Sequence, residues 1–382
     1  MIPISVQLLL LGNFLFHLGS GLMVPILSNH VVNCGGTQIL LGVIFSSMYV
    51  CNSLSRHFVR LFSLPRHLSI LFCCFCSLVA NVVLIFVHYP KIIWLDRCLY
   101  GITNQVSWFS KEYVARMEIE YVKFSNFLNV AKVWGLVLGT LSSGHIYDTQ
   151  GFTTLSTTTA VLTFLSFVVF LFVEPDPPST RRPPKRLLLL PGVIYNRLVN
   201  LSHANLSYRI HLVIFLVAFD LAFTLLLSRF VFILRSMYRV GTVILGYYVG
   251  CQYMVKFICE VFLPYLLKPV KDRQSLFRVT AVICSSCLSG FNFAPSLTIY
   301  MFIFLFWLVS YSILNMLMEQ DVFELKQDPS LYEAVETLKV IVNILGPIGF
   351  SFLTYNYGRG AVVVLHGFGV VIYVYLLCGW LR

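Results

Sequence analysis

Apolar residues run along this chain in long unbroken stretches separated by short polar ones, the pattern of helices lying in hydrocarbon. Runs of about 20 residues, long enough to span a bilayer, cover 5–27, 36–55, 68–88, 91–110, 124–146, 152–173, 210–234, 241–266, 278–293, 296–318, 332–357 and 360–380. The pattern predicts about twelve transmembrane helices, with 278–318 the least sharply divided. Strands of a membrane barrel would alternate over about ten residues, and these runs do not.

Composition agrees: 58% of residues are hydrophobic and 11% charged, against roughly a quarter charged in soluble domains. The expected class is all-α integral membrane. The first run lacks a basic flank and a small-residue cleavage site, so it is expected to be a retained helix. The eleven cysteines fall mostly inside apolar runs, where a thiol is a small apolar filler, and no metal site is expected.

The net charge of +11 bears on orientation, because lysine and arginine gather on the cytoplasmic side. Loops after even-numbered spans carry Arg56, Arg60 and Arg66, then Lys111, Arg116 and Lys123, then a basic cluster from Arg181 to Arg209. The opposite loops hold only Lys91, Arg235, Arg239 and Arg359. Both termini are therefore expected in the cytoplasm. The longest loop opens with "EPDPPSTRRPPKR", which cannot continue a helix, and divides the chain into a six-helix half at 1–173, a linker at 174–209 and a second half at 210–382. Sequons at Asn200 and Asn205 fall in that linker and stay unmodified in this topology.

An internal repeat supports the two halves. "KVWGLVLGT" in the fifth span and "KVIVNILGP" in the eleventh align Lys132 with Lys339 and Gly139 with Gly346, 207 positions apart; Leu41-Gly42 and Leu245-Gly246 start the second and eighth spans. Two parallel repeats place a solute path between the halves near the bilayer midplane. The even span count and the repeat argue against a seven-helix receptor with termini on opposite sides.

Small residues mark one helix in particular. Gly135, Gly139 and Ser143 share a stripe of the fifth span, and Thr140 and Gly144 form a second stripe about 100° away. Such stripes let helix backbones approach closely in lipid. They read either as plain packing or as a seam sliding or sealing between the halves.

Charges inside spans cost about 2.5–3.5 kcal/mol at a helix centre, which makes each a candidate. Asp220 lies midway along the seventh span with no opposite charge a turn away; it reads as a proton-accepting carboxylate or as one satisfied by a neighbouring polar group. Lys256 and Glu260, four apart, read as a proton-sensitive pair or a structural ion pair. Lys132 and Lys339, two turns inside their helices, read as snorkelling side chains or as contacts for an anionic substrate group. Arg97 follows Asp96 and is expected to pair with it. Asn13 and His17 share a face of the first span, and His17 is the residue there able to titrate near neutrality.

These residues carry a resemblance. Gly135-x3-Gly139-Thr140-x2-Ser143-Gly144 resembles the G-x3-G-P-x2-G-G motif in fifth helices of the proton-coupled antiporter branch of the major facilitator superfamily, with Thr140 for proline and Ser143 for glycine. Pro25 in "GLMVPILSNHV", Arg97-x3-Gly101, and Gly346-Pro347-x-Gly349 are similar to further family patterns. The layout is most similar to the animal orphan transporters grouped as major facilitator superfamily domain-containing protein nine, relatives of bacterial tetracycline exporters. The resemblance implies the superfamily's twelve-helix fold, alternating access and a role for Arg97 in proton coupling. One loop departs: the family's G-x3-D-R-x-G-R-R is here "SRHFVRLFSLPRH", Ser55 to His67, which keeps Arg56, Arg60 and Arg66 and lacks the acid and glycines.

No G-x-S-x-G elbow, H-E-x-x-H pair or phosphate loop is present, and Cys284-Ser-Ser-Cys287 has redox spacing without strand-helix context. The chain is expected to be no enzyme and to need no cofactor. Its expected partners are a small organic solute, mostly apolar or amphipathic, together with protons and the lipid bilayer, and no nucleic acid. A monomer is expected. The competing expectation is a transport-inactive receptor, sensor or scaffold, motivated by the altered loop.

Overall fold

The computed structural model describes residues 3–61, 65–86, 89–117, 121–175, 237–270, 272–325 and 329–357, with a few further positions between 221 and 235 and at 367 and 371. Among these residues every regular element is helical: α1 Ile4–Asn33, α2 Gln38–Leu61, α3 Arg66–Phe86, α4 Pro90–Thr103, α5 Val106–Arg116, α6 Tyr121–Leu171, α7 Thr242–Leu267, α8 Arg273–Gly290, α9 Leu297–Leu325 and α10 Pro329–Tyr357. The expected spans at 210–234 and 360–380 lie almost entirely outside the described residues; each of the others coincides with helix. Seven described helices are long and apolar enough to cross a membrane.

The boundaries have local causes. After α1 the chain turns on Gly35 at φ +84, while the Gly36 amide closes on Val31 O at 2.8 Å, a left-handed C-terminal stop that glycine adopts without cost. Thr37 caps α2 by accepting from Leu40 N, and Pro90 sits in the first turn of α4, where its missing N–H is no loss. The fourth expected span is interrupted at Asn104–Gln105 and becomes α4 and α5. The uncertain region divides at a short 3-10 turn, Phe291–Phe293.

α6 holds the fifth and sixth expected spans. At 51 residues a straight helix would be about 75 Å long, far beyond a bilayer's thickness. Gly151, at φ 82 and ψ 179, breaks it. A Cβ there would meet nothing, so conformation rather than space selects glycine. The contacts with α1 show a hairpin: Gly135 and Gly139 in the first arm meet residues 14–18 and 18–22 in parallel register, whereas Gly19 meets Thr159 and Gly12 meets Phe170 in the second arm, antiparallel.

By its contacts the chain divides into two compact units, Met1–Leu187 with Val240–Tyr253, and Leu188–Arg239 with Met254–Arg382. In the first, α1 is the central helix and is buried on nearly every side from Gly19 to Val31. Apolar clusters pack around its two ends, one including Val6, Phe16, Phe109 and Phe170, the other Leu22, Ile26, Ile44 and Leu155. The second unit has its own cluster of Cys259, Leu263, Leu267 and Leu317.

The outer helices are inverted relative to a soluble protein. α3 exposes Leu68, Phe72, Phe75, Val79, Val82 and Phe86, a stripe at helical spacing, and buries Ser69, Ser77 and Asn81. The second arm of α6 exposes Val161, Phe164 and Leu165 while burying Thr159, Thr163 and Ser166, whose hydroxyls are hydrogen-bonded. Apolar residues outward and hydrogen-bonded hydroxyls inward are stable where the solvent is hydrocarbon. This is a multi-pass membrane protein.

Candidate functional site

Inside the first unit, α1 and α5 share a chain of buried hydrogen bonds whose direction can be worked out. Ser110 Oγ donates to Val106 O at 2.8 Å, so it accepts from Asn13 Nδ2, also at 2.8 Å. The other Nδ2 hydrogen goes to Leu9 O, and Asn13 Oδ1 accepts from Ser107 Oγ at 3.0 Å. With its own proton committed, Ser107 Oγ can only accept from His17 Nε2, 2.5 Å away. The network thus assigns the Nε2–H tautomer. His17 Nδ1 is left as a buried lone pair with no hydrogen-bond partner, and Lys132 on α6 lies within electrostatic reach of the ring.

A second buried group sits on α4. Asp96 Oδ2 accepts from Arg97 Nε at 2.7 Å and lies 2.7 Å from Nη2, while the guanidinium stacks 4.5 Å from the Tyr100 ring centroid. Both charges are buried, which is tolerable because each neutralises the other and the cation has an aromatic face. Gly101 completes this turn: a Cβ would stand 2.3 Å from Met48 O, so α4 can reach α2 only with glycine there.

The small-residue stripes of α6 meet two different helices. A Cβ on Gly135 would lie 2.6 Å from Phe14 O and one on Gly139 2.3 Å from Leu18 O, both on α1. Thr140, Ser143 and Gly144 face α7 instead: Gly246 approaches Thr140 O and Ser143 Oγ, and Gly144 approaches Val243 Cα. Beyond them the Thr242 hydroxyl donates to Asp148, and His145 Nε2 lies 2.6 Å from Tyr247 Oη.

Solved structures of the same architecture match essentially the whole chain. The human organic anion transporter MFSD10 (TETRAN) superposes with a TM-score of 0.68 at 13% identity, covering 99% of each chain. The nucleoside transporter NupG superposes with a TM-score of 0.78 at 12% identity in a point-mutant form, covering 98% of this chain and 99% of that one, and with 0.72 at 12% identity and 99% of each chain as NupG itself. The chain has the major facilitator superfamily fold. No family model and no curated protein sequence matches it.

Within that fold the other candidate residues are scattered. Asp220 lies outside the described residues, and so does the side chain of Lys339, which falls in α10. Lys256 and Glu260 stand 4.0 Å apart with side chains 48% and 51% exposed, so the pair is on the surface of α7 and not a buried charge. Gly346 and Pro347 are buried in α10, where Pro347 O accepts from Ser351 Oγ at 2.6 Å. In the altered loop Arg66 has found an acid elsewhere, pairing with Glu112 of α5 beneath the Trp108 ring.

Sequence reasoning missed Ser107, Ser110 and Glu112. The two serines stand three apart in an apolar stretch, "SWFS", and that spacing was the available signal. Glu112 gave none, because its pairing spans 46 positions to Arg66.

Proposed function

We propose that this protein is a secondary transporter that moves a small organic solute across a membrane by alternating access, with proton coupling. The observation that carries this reading is the buried chain from Val106 O to His17, ending in an unpartnered ring nitrogen. Polar groups inside a membrane protein are costly, and a purely structural network would close on itself. This one ends on a lone pair able to take a proton, on the central helix of a fold shared with an organic anion transporter and a nucleoside transporter.

In this reading residues 1–173 and 210–382 are two halves joined by 174–209, both termini face the cytoplasm, and the protein acts as a monomer of the antiporter branch. His17, with Asn13 holding Ser107 in place, is the proton-linked group of the first half, and Asp220 that of the second. Arg97 takes part in coupling, and Lys132 and Lys339 attract an anionic substrate group. The α6–α7 seam of Thr140, Ser143 and Gly144 against Gly246 is the contact that opens and closes, and Gly346-Pro347 is its counterpart on α10. Lys256 and Glu260, paired at 4.0 Å on α7, are a further proton-sensitive pair of this reading.

Purified protein in liposomes with an internal pH-sensitive dye, challenged with a panel of organic anions and cations, tests this. Solute-dependent proton movement that disappears in His17→Gln and Asp220→Asn supports it. Absence of saturable flux or binding for every solute would overturn it and favour the transport-inactive receptor or scaffold that the Ser55–His67 loop suggests.

A further inference from the structure

His17 has a nitrogen open to a proton, yet among the described residues nothing supplies the negative charge that an imidazolium needs. Its Nε2–H is committed to Ser107, and Nδ1 has no hydrogen-bond partner although the residue is only 1% exposed. A proton on Nδ1 leaves the chain from Ser107 to Val106 O as it stands, because Nε2 already donates. What changes is the charge, and a buried charge persists only where it is matched.

The described carboxylates of the first unit are accounted for elsewhere. Asp96 is held by Arg97 and Glu112 by Arg66, while Asp148 and Glu174 are exposed. Toward this part of α1, α5 turns Ser107 and Ser110, and the second arm of α6 turns Thr159 and Ser166. Among the described residues the charge that approaches comes from Lys132, on the first arm of α6.

Helix packing places that lysine. A Cβ on Gly135 would stand 3.2 Å from His17 C and 2.6 Å from Phe14 O, and one on Gly139 2.3 Å from Leu18 O. The helices therefore run in parallel, with this face of α6 on the backbone of His17. Lys132, three residues before Gly135, lies on the same face one turn earlier, level with Asn13. It is half-buried, so part of its surface stays accessible, and its charge is felt at the imidazole.

Resting on the transport reading above, we infer that an organic anion held at Lys132 supplies the counter-charge under which His17 Nδ1 takes a proton, so that one anion and one proton bind together. The ammonium and the neutral imidazole carry a single positive charge between them. Adding the anion and the proton leaves that charge unchanged, whereas either one alone alters it. Each therefore strengthens the binding of the other by the same factor. Bound together, they cross in the same direction, which makes this site a symport device in a chain whose motifs resemble the antiporter branch.

The test titrates the full chain in lipid nanodiscs with 1-naphthoate, with its uncharged amide and with the cation 1-naphthylmethylammonium. Calorimetry in buffers of different ionisation enthalpy counts the protons taken up per ligand. The wild type should bind naphthoate saturably with about one proton taken up per anion, its Kd rising by up to about tenfold for each unit of pH. The amide should bind at least about tenfold more weakly and take up no proton. His17→Gln, which keeps an N–H for Ser107, should bind naphthoate without proton uptake, and Lys132→Gln should bind it about tenfold more weakly.

Naphthoate binding without proton uptake, tighter binding of the cation, or no saturable naphthoate binding each overturns the inference. All three are read on the wild type, so a variant that fails to fold leaves the test intact. Flux in liposomes separates this inference from the transport reading. Naphthoate uptake accelerated by an inward proton gradient supports both, and uptake accelerated by an outward gradient overturns the symport. Binding with proton uptake but no flux of any solute supports the coupled site and defeats transport. Flux of another solute, beside naphthoate binding that takes up no proton, supports transport and defeats the site.

Discussion

The two faces of the first arm of α6 are built from similar small residues and pack against their neighbours in different ways. Toward α1, Gly135 and Gly139 bring backbone against backbone, and the second arm of α6 reinforces that packing with hydroxyl bonds into the same helix, Ser166 Oγ to Gly12 O at 2.9 Å and Thr159 Oγ1 to Gly19 O at 3.5 Å. Toward α7 the approach is backbone-close at Gly144 and Gly246, but at Gly250 the nearest atoms are the side-chain tips of Leu141 and Thr140, about 3.1 Å from an added Cβ. The polar ties there are two side-chain pairs at one end, Thr242–Asp148 and His145–Tyr247. In the transport reading proposed above, the face closed along its whole length is the fixed joint and the face tied at one end is the one that parts. Small-residue spacing alone does not tell the two apart.

The comparison can be broken most severely at Gly139. Gly139→Leu drives a side chain into the α1 backbone and should destabilise the protein by about 3 kcal/mol or more, read as loss of the monodisperse peak and a lower Tm in detergent. His17→Gln keeps an N–H for Ser107 and deletes the Nδ1 lone pair, so the protein should fold normally while solute-driven proton movement disappears. A Gln variant with normal proton movement would remove His17 from the coupling path.

Gly246→Ala addresses the other face. Its added methyl would stand 2.4 Å from Thr140 O, and the expected result is flux reduced several-fold with a Tm change smaller than that of Gly139→Leu. Equal Tm losses at the two positions would erase the distinction between joint and seam. Thr242→Val removes the tie to Asp148 and should cost about 1 kcal/mol, measured by thermal unfolding, with cysteine labelling of the α6–α7 faces faster than in wild type. Lys256→Gln, at an exposed pair, should change stability by less than about 0.5 kcal/mol.

Much of the architecture was legible because hydrocarbon imposes long apolar runs, and these mark helices wherever they fall. The break at Gly151 sits between two expected runs, and the 3-10 turn Phe291–Phe293 falls at the very end of the run 278–293. The site was less legible. Asn13 and His17 stood out on α1 because polar groups are rare in such a run, and Arg97 stood out for its charge. Ser107 was hidden because a lone serine in a membrane helix usually bonds its own backbone, as Ser110 does. Lys256 and Glu260 do pair, at 4.0 Å, because helical spacing fixes that two residues share a face, while it leaves open which way that face points.

The sequence by itself determined that this is a helical membrane protein with spans of these lengths, because burying a backbone in lipid leaves few alternatives to helix. It also determined where glycine lets helices come close. Only the tertiary structure decided which helix each stripe meets and that Arg66 pairs with Glu112. Those outcomes depend on the rotation and register of helices far apart in the chain, and in lipid it is packing and hydrogen bonding between helices that set them.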